Sequence, residues 1–489
     1  MLHSSRQETP LPIPQSKLQL DFDRGTILLT ATGVQNPSTD ALNTFTDIPR
    51  IKPKDLPDCV WDPRVQSYRV PGFRHQGLVS NLEREKIPFS DRVKSTLPDP
   101  EGWGRVELRD YQKAALQAWY LDSNRGIVVL PTGSGKTRLA LAAMAGTKSR
   151  SLILVPTRVL LHQWMQEISR IYAGPVGLLG DHHRKICPVT VTTFESAYRW
   201  MPRIGNQFDL LVVDEAHHFG GGLRDEALEL STAAARLGLT ATPSRKSEVL
   251  DRLSILIGPT VFEMKIDDLA GTHLKDFQIL VLYLDLSPEE RFAYELDARI
   301  YREALARFQK LVPDADWVSF AKSASRSIGG REALAAFRRV RHLLGFTKAK
   351  NRMLGMLLER HRDSRVLVFT ADNDTAYAIS REHLIMPLTC DIGHKERDSV
   401  LESFRHGDLS ALVSSRVLNE GVDVPDADVG IIVAGAQGER EHVQRVGRLL
   451  RPARGKQAVI YELVTRGTRE VHQGQKRRVS LGSRVSHSL

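Results

Sequence analysis

Between about residues 105 and 465, short apolar blocks alternate with helix-forming stretches. This alternation constrains the fold more than any other feature of the chain. Ile127–Leu130, Leu152–Val155, Val189–Thr192 and Leu210–Val213 form one series; Val366–Phe369, Ala411–Ser414, Gly430–Val433 and Ala458–Tyr461 form a second. Uninterrupted apolar strands are buried on both faces, so each series predicts a parallel sheet covered by helices. Between them, residues 286–345 switch to long helical periodicity with dense charge (SPEERFAYELDARIYREALARFQKL, then REALAAFRRVRHLL). That stretch predicts a helical insertion, basic in its second half.

The ends differ in texture. Residues 1–100 are rich in proline, carry short β-like runs such as Thr26–Thr30, and spread aromatics through VWDPRVQSYRVPGF (60–73). They predict a small mixed α/β domain behind a disordered tail of about 15 residues. The last 24 residues hold Arg466, Arg469, Lys476, Arg477, Arg478 and Arg484 against Glu470, a net +5, and predict a flexible basic tail. With 489 residues and roughly 150 per domain, about three domains are expected. The boundaries read as 1–100 (N-terminal α/β domain), 101–270 (first parallel-sheet domain), 271–347 (linker strand and helical insertion), 348–465 (second parallel-sheet domain) and 466–489 (tail).

Composition narrows the classes. The chain is 41% apolar and 26% charged, and no run of about 18 apolar residues appears, which argues against a membrane protein. Residues 1–20 contain no apolar signal core, and the three cysteines, Cys59, Cys187 and Cys390, are far apart. Both features point to a reducing compartment, the cytoplasm. The net charge of +10 suits a polyanionic partner.

The first strand runs into Pro131, Thr132, Gly133, Ser134, Gly135, Lys136 and Thr137, followed by a helix-forming run. The glycines let the backbone curl so that its N–H groups face phosphate oxygens, and the helix N-terminus adds positive potential. Lys136 reaches β- and γ-phosphates, and the Thr137 hydroxyl can ligate Mg²⁺. The eight-residue form of this pattern opens on glycine, whereas Leu130 stands here. The strand Leu210–Val213 ends in Asp214 and Glu215. In one sheet with a phosphate loop, Asp214 is the expected Mg²⁺ holder and Glu215 the general base for water.

These residues resemble the superfamily 2 helicases, with DEAH at 214–217. LTATP (239–243) looks like the segment that couples hydrolysis to movement, with His217 expected to contact it. QRVGRLLR (444–451) looks like the arginine motif of the second motor domain, and there Arg448 and Arg451 would share one helix face. The resemblance implies two RecA-like domains with ATP and Mg²⁺ between them, and arginines acting on the γ-phosphate. Arg109 and Gln112 in LRDYQKAAL resemble the adenine-recognising segment. Pro156, Thr157, Arg158, Thr192 and Thr193 resemble DNA-backbone contacts. Val366–Thr370 and NEGVDVP (419–425), with Gly421 and Asp423 expected at the nucleotide, resemble strand-end elements of the second domain.

A narrower resemblance is to the XPB-type DNA repair helicases. It rests on IGPTVFEM (257–264), GAQGEREHVQRVGRLLRP (435–452), FDRGTILL (22–29) and WDPRVQSYRVPGF (61–73). The last two look like a damage-recognition domain, and the helical insertion sits where that family carries its thumb. The resemblance implies a DNA-stimulated ATPase that moves 3′ to 5′ on single-stranded or forked DNA with little sequence preference, and a nuclease subunit as partner. Where the family has Arg-Glu-Asp, this chain has Arg245, Lys246 and Ser247, so strand separation by that motif is not implied. Rival readings are a motor subunit of a restriction or phage-defence complex, an ATP-switched scaffold, and an RNA helicase. The intact Glu215 argues against the scaffold.

Weaker signals have ordinary explanations. His218 reads as a neighbour of DEAH, and Asp181, His182, His183 and Cys187 are poorly spaced for zinc. Trp61, Tyr68 and Phe73 read as core before stacking residues. Arg64, Arg69, Arg338, Arg339, Arg341 and His342 read equally as solvated faces or phosphate contacts.

Overall fold

Three sheets organise the chain. The structure, a computed structural model, describes residues 17–32, 58–93, 95–244, 246–264, 268, 277–313, 317–415, 427–434, 458–478 and 485–488. The chain divides into two compact units, the first with two sheets and the second with the third. Gly421, Asp423, Arg448 and Arg451, together with Arg245 and the expected N-terminal tail, lie outside the described residues.

The N-terminal sheet contains β1 (Lys17–Asp23), β2 (Thr26–Thr32), β3 (Val60–Asp62), β4 (Ser67–Pro71) and β5 (Phe89–Asp91), in the order β3-β4-β2-β1-β5. Arg24 and Gly25, both at positive φ, join β1 and β2 as a two-residue hairpin with Asp23 opposite Thr26. Two successive positive φ values match the right-handed twist of the paired strands. Alternate residues Leu18, Leu20, Ile27 and Leu29 turn inward against Leu78 and Leu82 of the helix His75–Arg84. Trp61 and Tyr68 meet edge to face at 4.9 Å and pack on this core, the packing expected of them. Asp62 accepts from both Arg64 and Arg69, so these arginines hold the domain together.

The second sheet contains β6 (Arg125–Val129), β7 (Ser151–Val155), β8 (Val176–Gly180), β9 (His183–Lys185), β10 (Val189–Thr193), β11 (Leu210–Asp214), β12 (Ala235–Thr240) and β13 (Thr260–Glu263). Its order is β13-β6-β12-β11-β7-β10-β8-β9. β7, β8, β10, β11 and β12 pair in parallel, as the apolar runs predict, and β9 turns back antiparallel on β8. The first two sheets dock closely. A Cβ on Gly25, Gly72 or Gly205 would come within 3 Å of Leu230, so three backbones converge on one residue. Only glycine permits that approach.

The third sheet contains β14 (Phe277–Leu284), β15 (Val366–Phe369), β16 (Met386–Leu388), β17 (Ala411–Ser414), β18 (Val429–Ile432), β19 (Ala458–Thr465) and β20 (Val485–Ser488), in the order β16-β17-β15-β18-β19-β14-β20. β14, within the stretch expected to hold a linker strand, pairs with β19 along its whole length, because eight apolar or long residues in a row (FQILVLYL) suit a central position. Within the basic C-terminal segment, Arg469–Arg478 form a helix and β20 pairs in parallel with β14. The anchor is Glu470, which accepts from Lys350 Nζ at 2.8 Å and from the Thr465 N–H at 3.0 Å.

The helical insertion lies between β14 and β15 as helices Pro288–Leu311, Trp317–Ala324 and Ile328–Gly345. Ser287 and Glu290 cap the first reciprocally. Tyr294, Ala298, Tyr301, Phe320, Ala333 and Phe337 give the insertion a core of its own. Arg339 is bound to Asp297 and Glu332, which makes it a structural residue of this insertion.

Candidate active site

The phosphate loop leaves β6 and enters the helix Lys136–Thr147 directly. Gly133 and Gly135 sit at φ of 84° and 82°, the left-handed region the pattern demands. Ser134 is buried, and its hydroxyl donates to the Pro131 carbonyl at 2.7 Å, closing the turn. Lys136 Nζ donates to the Leu130 carbonyl at 3.3 Å, so the side chain folds back over its own loop. The Thr132 hydroxyl is buried with no hydrogen-bond partner among the described residues. A curled loop with a cation folded over it and an orphaned hydroxyl fits a phosphate ligand. Thr137 follows in the first helical turn.

Asp214 is the last residue of β11, a strand separated from β6 only by β12. Its carboxylate is held at both oxygens: Oδ1 accepts from the Glu215 N–H at 3.0 Å, and Oδ2 from Trp164 Nε1 at 2.9 Å. The sequence did not single out Trp164, since no local signature links positions 50 apart. Glu215 stands in the left-handed region (φ 52°, ψ 51°), unusual for a residue with a side chain. Strain of this kind gathers at functional sites. The turn aims the segment towards His217, whose Nδ1 lies 3.3 Å from Glu215 Oε2 and 3.0 Å from Thr240 Oγ1. DEAH and LTATP are therefore joined by side chains, as the sequence predicts for His217. His218 meets Phe194 edge to face and lies tilted against the His217 ring, as an ordinary neighbour.

Arg236 on β12 is a second residue the sequence left unmarked. It is fully buried, and its guanidinium donates to the carbonyls of Ala233, Leu228, Leu256 and Ser231. Burial pushes its pKa down to about 9, which leaves it cationic at neutral pH. Those four bonds fix the chain on either side of the strand leading to Thr240. Arg109 and Gln112 come together at the start of the helix Asp110–Leu121, where the Arg109 N–H donates to Gln112 Oε1 at 2.9 Å. Gln112 is buried there.

The residues expected to meet a DNA backbone divide. Thr157 and Thr193 cap the helices Arg158–Ser169 and Phe194–Ile204. Thr192 is fully buried with its hydroxyl on the Thr193 carbonyl, so it supports the strand end and meets no solvent. Arg158 pairs with Asp181 at 3.2 Å, and His162 pairs with the same carboxylate.

Comparison with known proteins agrees with this architecture. Residues 20–93 match the Xeroderma pigmentosum group B helicase damage recognition domain, residues 105–245 the Type III restriction enzyme res subunit, and residues 349–453 the helicase conserved C-terminal domain. The chain is 34% identical over 423 residues to the DNA 3′-5′ translocase XPB2 of Sulfurisphaera tokodaii, covering 86% of this chain and 96% of that protein. It is 26% identical over 409 residues to the DNA 3′-5′ helicase XPB of Mycobacterium tuberculosis, covering 81% of this chain and 65% of that longer protein. The Hef helicase domain of Pyrococcus furiosus has the same fold, with a TM-score of 0.51 at 20% identity over 76% of this chain and 98% of that one. Two helicase domains behind a small α/β domain define an ATP-hydrolysing helicase. The chain belongs to the XPB-type DNA helicases.

Proposed function

We propose that this chain moves 3′ to 5′ along DNA by hydrolysing ATP, in the service of DNA repair. The observation that carries this reading is the Glu215–His217–Thr240 connection, in a chain whose N-terminal domain matches a damage-recognition family. Glu215 accepts the proton of the attacking water. Asp214, held by Trp164, keeps the orientation a divalent ion needs. Lys136 and the Pro131–Gly135 backbone bind the β- and γ-phosphates. Thr137 and Asp214 would hold Mg²⁺, which when bound would supply charge neutralisation at the phosphates. Arg109 and Gln112 receive the adenine; for Gly421, Asp423, Arg448 and Arg451, which lie outside the described residues, the family resemblance implies roles toward the nucleotide. The capped helix starts at Thr157 and Thr193 offer N–H groups to a phosphodiester backbone, which favours binding without sequence preference.

A nuclease subunit as partner and a cytoplasmic location belong to the same proposal; no helix among the described residues is long and apolar enough to cross a membrane. The match of residues 105–245 to a restriction-enzyme subunit favours one rival, a motor of a restriction complex. Steady-state ATP hydrolysis with single-stranded, duplex and forked DNA and with RNA separates these readings, beside Glu215→Gln. Stimulation by DNA that the variant abolishes is the expected result. Stimulation by RNA alone, or by none of them, sinks the proposal, and a requirement for one DNA sequence favours the restriction motor.

A further inference from the structure

A cleft of about 670 Å³ opens where the N-terminal domain docks on the first motor domain, lined by Arg24, Arg184, Arg199, Trp200, Pro202 and Arg203. Its position follows from the convergence on Leu230. Gly25 of the β1–β2 turn approaches the Leu230 side chain, while Gly72, just after β4, and Gly205, just after the helix Phe194–Ile204, both approach its carbonyl. Arg24 of the turn is thereby brought to the end of a helix that presents Arg199 and Arg203, while Arg184 is added from β9. Among the described residues, no carboxylate lines this cleft.

These four arginines differ from those that anchor a carboxylate in the fold. Arg64, Arg69, Arg74, Arg150, Arg252 and Arg339 each hold a carboxylate, but among the described residues Arg24, Arg184, Arg199 and Arg203 hold none. Arg203 instead lies over the Trp200 ring, 5.6 Å from its centroid, which fixes the guanidinium and occupies the ring face. Four uncompensated guanidiniums around a cleft of ligand size make a site for phosphate groups. Because a cation covers one face of Trp200, the single aromatic ring in the lining, and four guanidiniums surround it, the cleft favours backbone charge over base stacking.

We propose that this composite cleft is a second DNA-binding site, which grips the sugar–phosphate backbone away from the strand ends that carry the motor motifs. The proposal rests on the DNA-translocase reading above. Because one arginine comes from the N-terminal domain and three from the motor domain, DNA held there links the two.

The test uses the full chain and fluorescence anisotropy with labelled duplex and single-stranded DNA, titrated between 50 and 200 mM salt. For every phosphate that is no longer neutralised, the log–log salt slope becomes shallower by about 0.9 on duplex and about 0.7 on a single strand. R199E/R203E is expected to bind at least tenfold more weakly, with a duplex slope shallower by about 1.8. R199K/R203K should retain most of the affinity, because a point charge suffices for phosphate. R24N, whose asparagine tolerates the left-handed turn, should weaken binding two- to fivefold. Unchanged melting temperatures exclude misfolding. An R199E/R203E slope equal to wild type overturns the cleft while leaving the translocase reading intact; wild type that binds no DNA overturns both. Displacement of DNA by millimolar inorganic phosphate would mark a small-anion site, and capture of polyglutamate in preference to DNA would mark an acidic protein partner. Either result overturns the proposal.

Discussion

His217 Nδ1 lies 3.0 Å from Thr240 Oγ1, and the same hydroxyl donates to the Thr242 carbonyl and accepts from its N–H. One oxygen thus joins the strand end carrying the proposed base to the loop that follows β12. A displacement at the phosphates has a short, polar route into LTATP. Thr240→Val keeps the shape and removes the junction. The expected outcome is a fall in strand displacement per ATP hydrolysed of about two- to tenfold, the worth of a net hydrogen bond. Equal losses in hydrolysis and displacement would show that the junction serves chemistry alone.

Glu215→Gln tests the chemistry directly. The amide keeps the volume and cannot accept the water proton. Turnover should fall by about 10²- to 10⁴-fold, as for other general bases, while nucleotide affinity stays within a few fold. Lys136→Ala should act in the opposite sense and weaken nucleotide binding first. Single-turnover hydrolysis and fluorescent-nucleotide titration separate the two effects. A tenfold or smaller loss in Glu215→Gln would reassign the base.

The parts of this molecule legible in the sequence are those in which neighbours decide the outcome. Val366–Phe369 and Ala411–Ser414 are read residue for residue, because a short, mostly apolar and buried run bounded by turns has few other uses. The phosphate loop and DEAH are local too. Contacts across the chain are not legible. β14 looks like a connector until its partner β19, 181 positions away, is known. Trp164 meets Asp214, Arg236 gathers carbonyls from both sides of its strand, and Lys350 finds Glu470 120 positions on. Each is a polar group whose value depends on what the fold brings to it.

Lys350 and Glu470 supply a stability prediction. Lys350 is fully buried, donating to Glu470 at 2.8 Å and to the Leu344 carbonyl at 2.7 Å. Glu470→Ala strands that cation, which costs about 3–5 kcal/mol in comparable pairs. The second unit should therefore melt on the order of 10 °C lower. The double variant Lys350→Met with Glu470→Leu removes both charges and should recover much of the loss. Two single losses that simply add would show that the pair is not coupled.

Asp62 makes the N-terminal domain sensitive to acid. Hydrogen bonds from Arg64 and then Arg69 hold its carboxyl well below the ordinary carboxylate range. Arg69 also reaches Asp23 at 2.8 Å and Thr26 at 2.8 Å, so the cluster rivets β1, β2 and β3 to β4. The unfolded aspartate titrates near 3.9, above the folded one. Between the two values the unfolded chain binds the proton more readily, so the stability from Asp62 is complete above about pH 5 and drains away as the pH falls through 4 towards the folded value. Asp62→Asn never has this contribution. Hydrogen exchange over residues 17–32 and 58–93 should show wild type better protected than Asp62→Asn at pH 6–7, with the gap narrowing as the pH falls from 5 to 3. A gap constant down to pH 3 would mean that the arginines act through packing and not through charge. It would also release them for other work, since the reading of Arg64 and Arg69 as structural depends on that carboxylate.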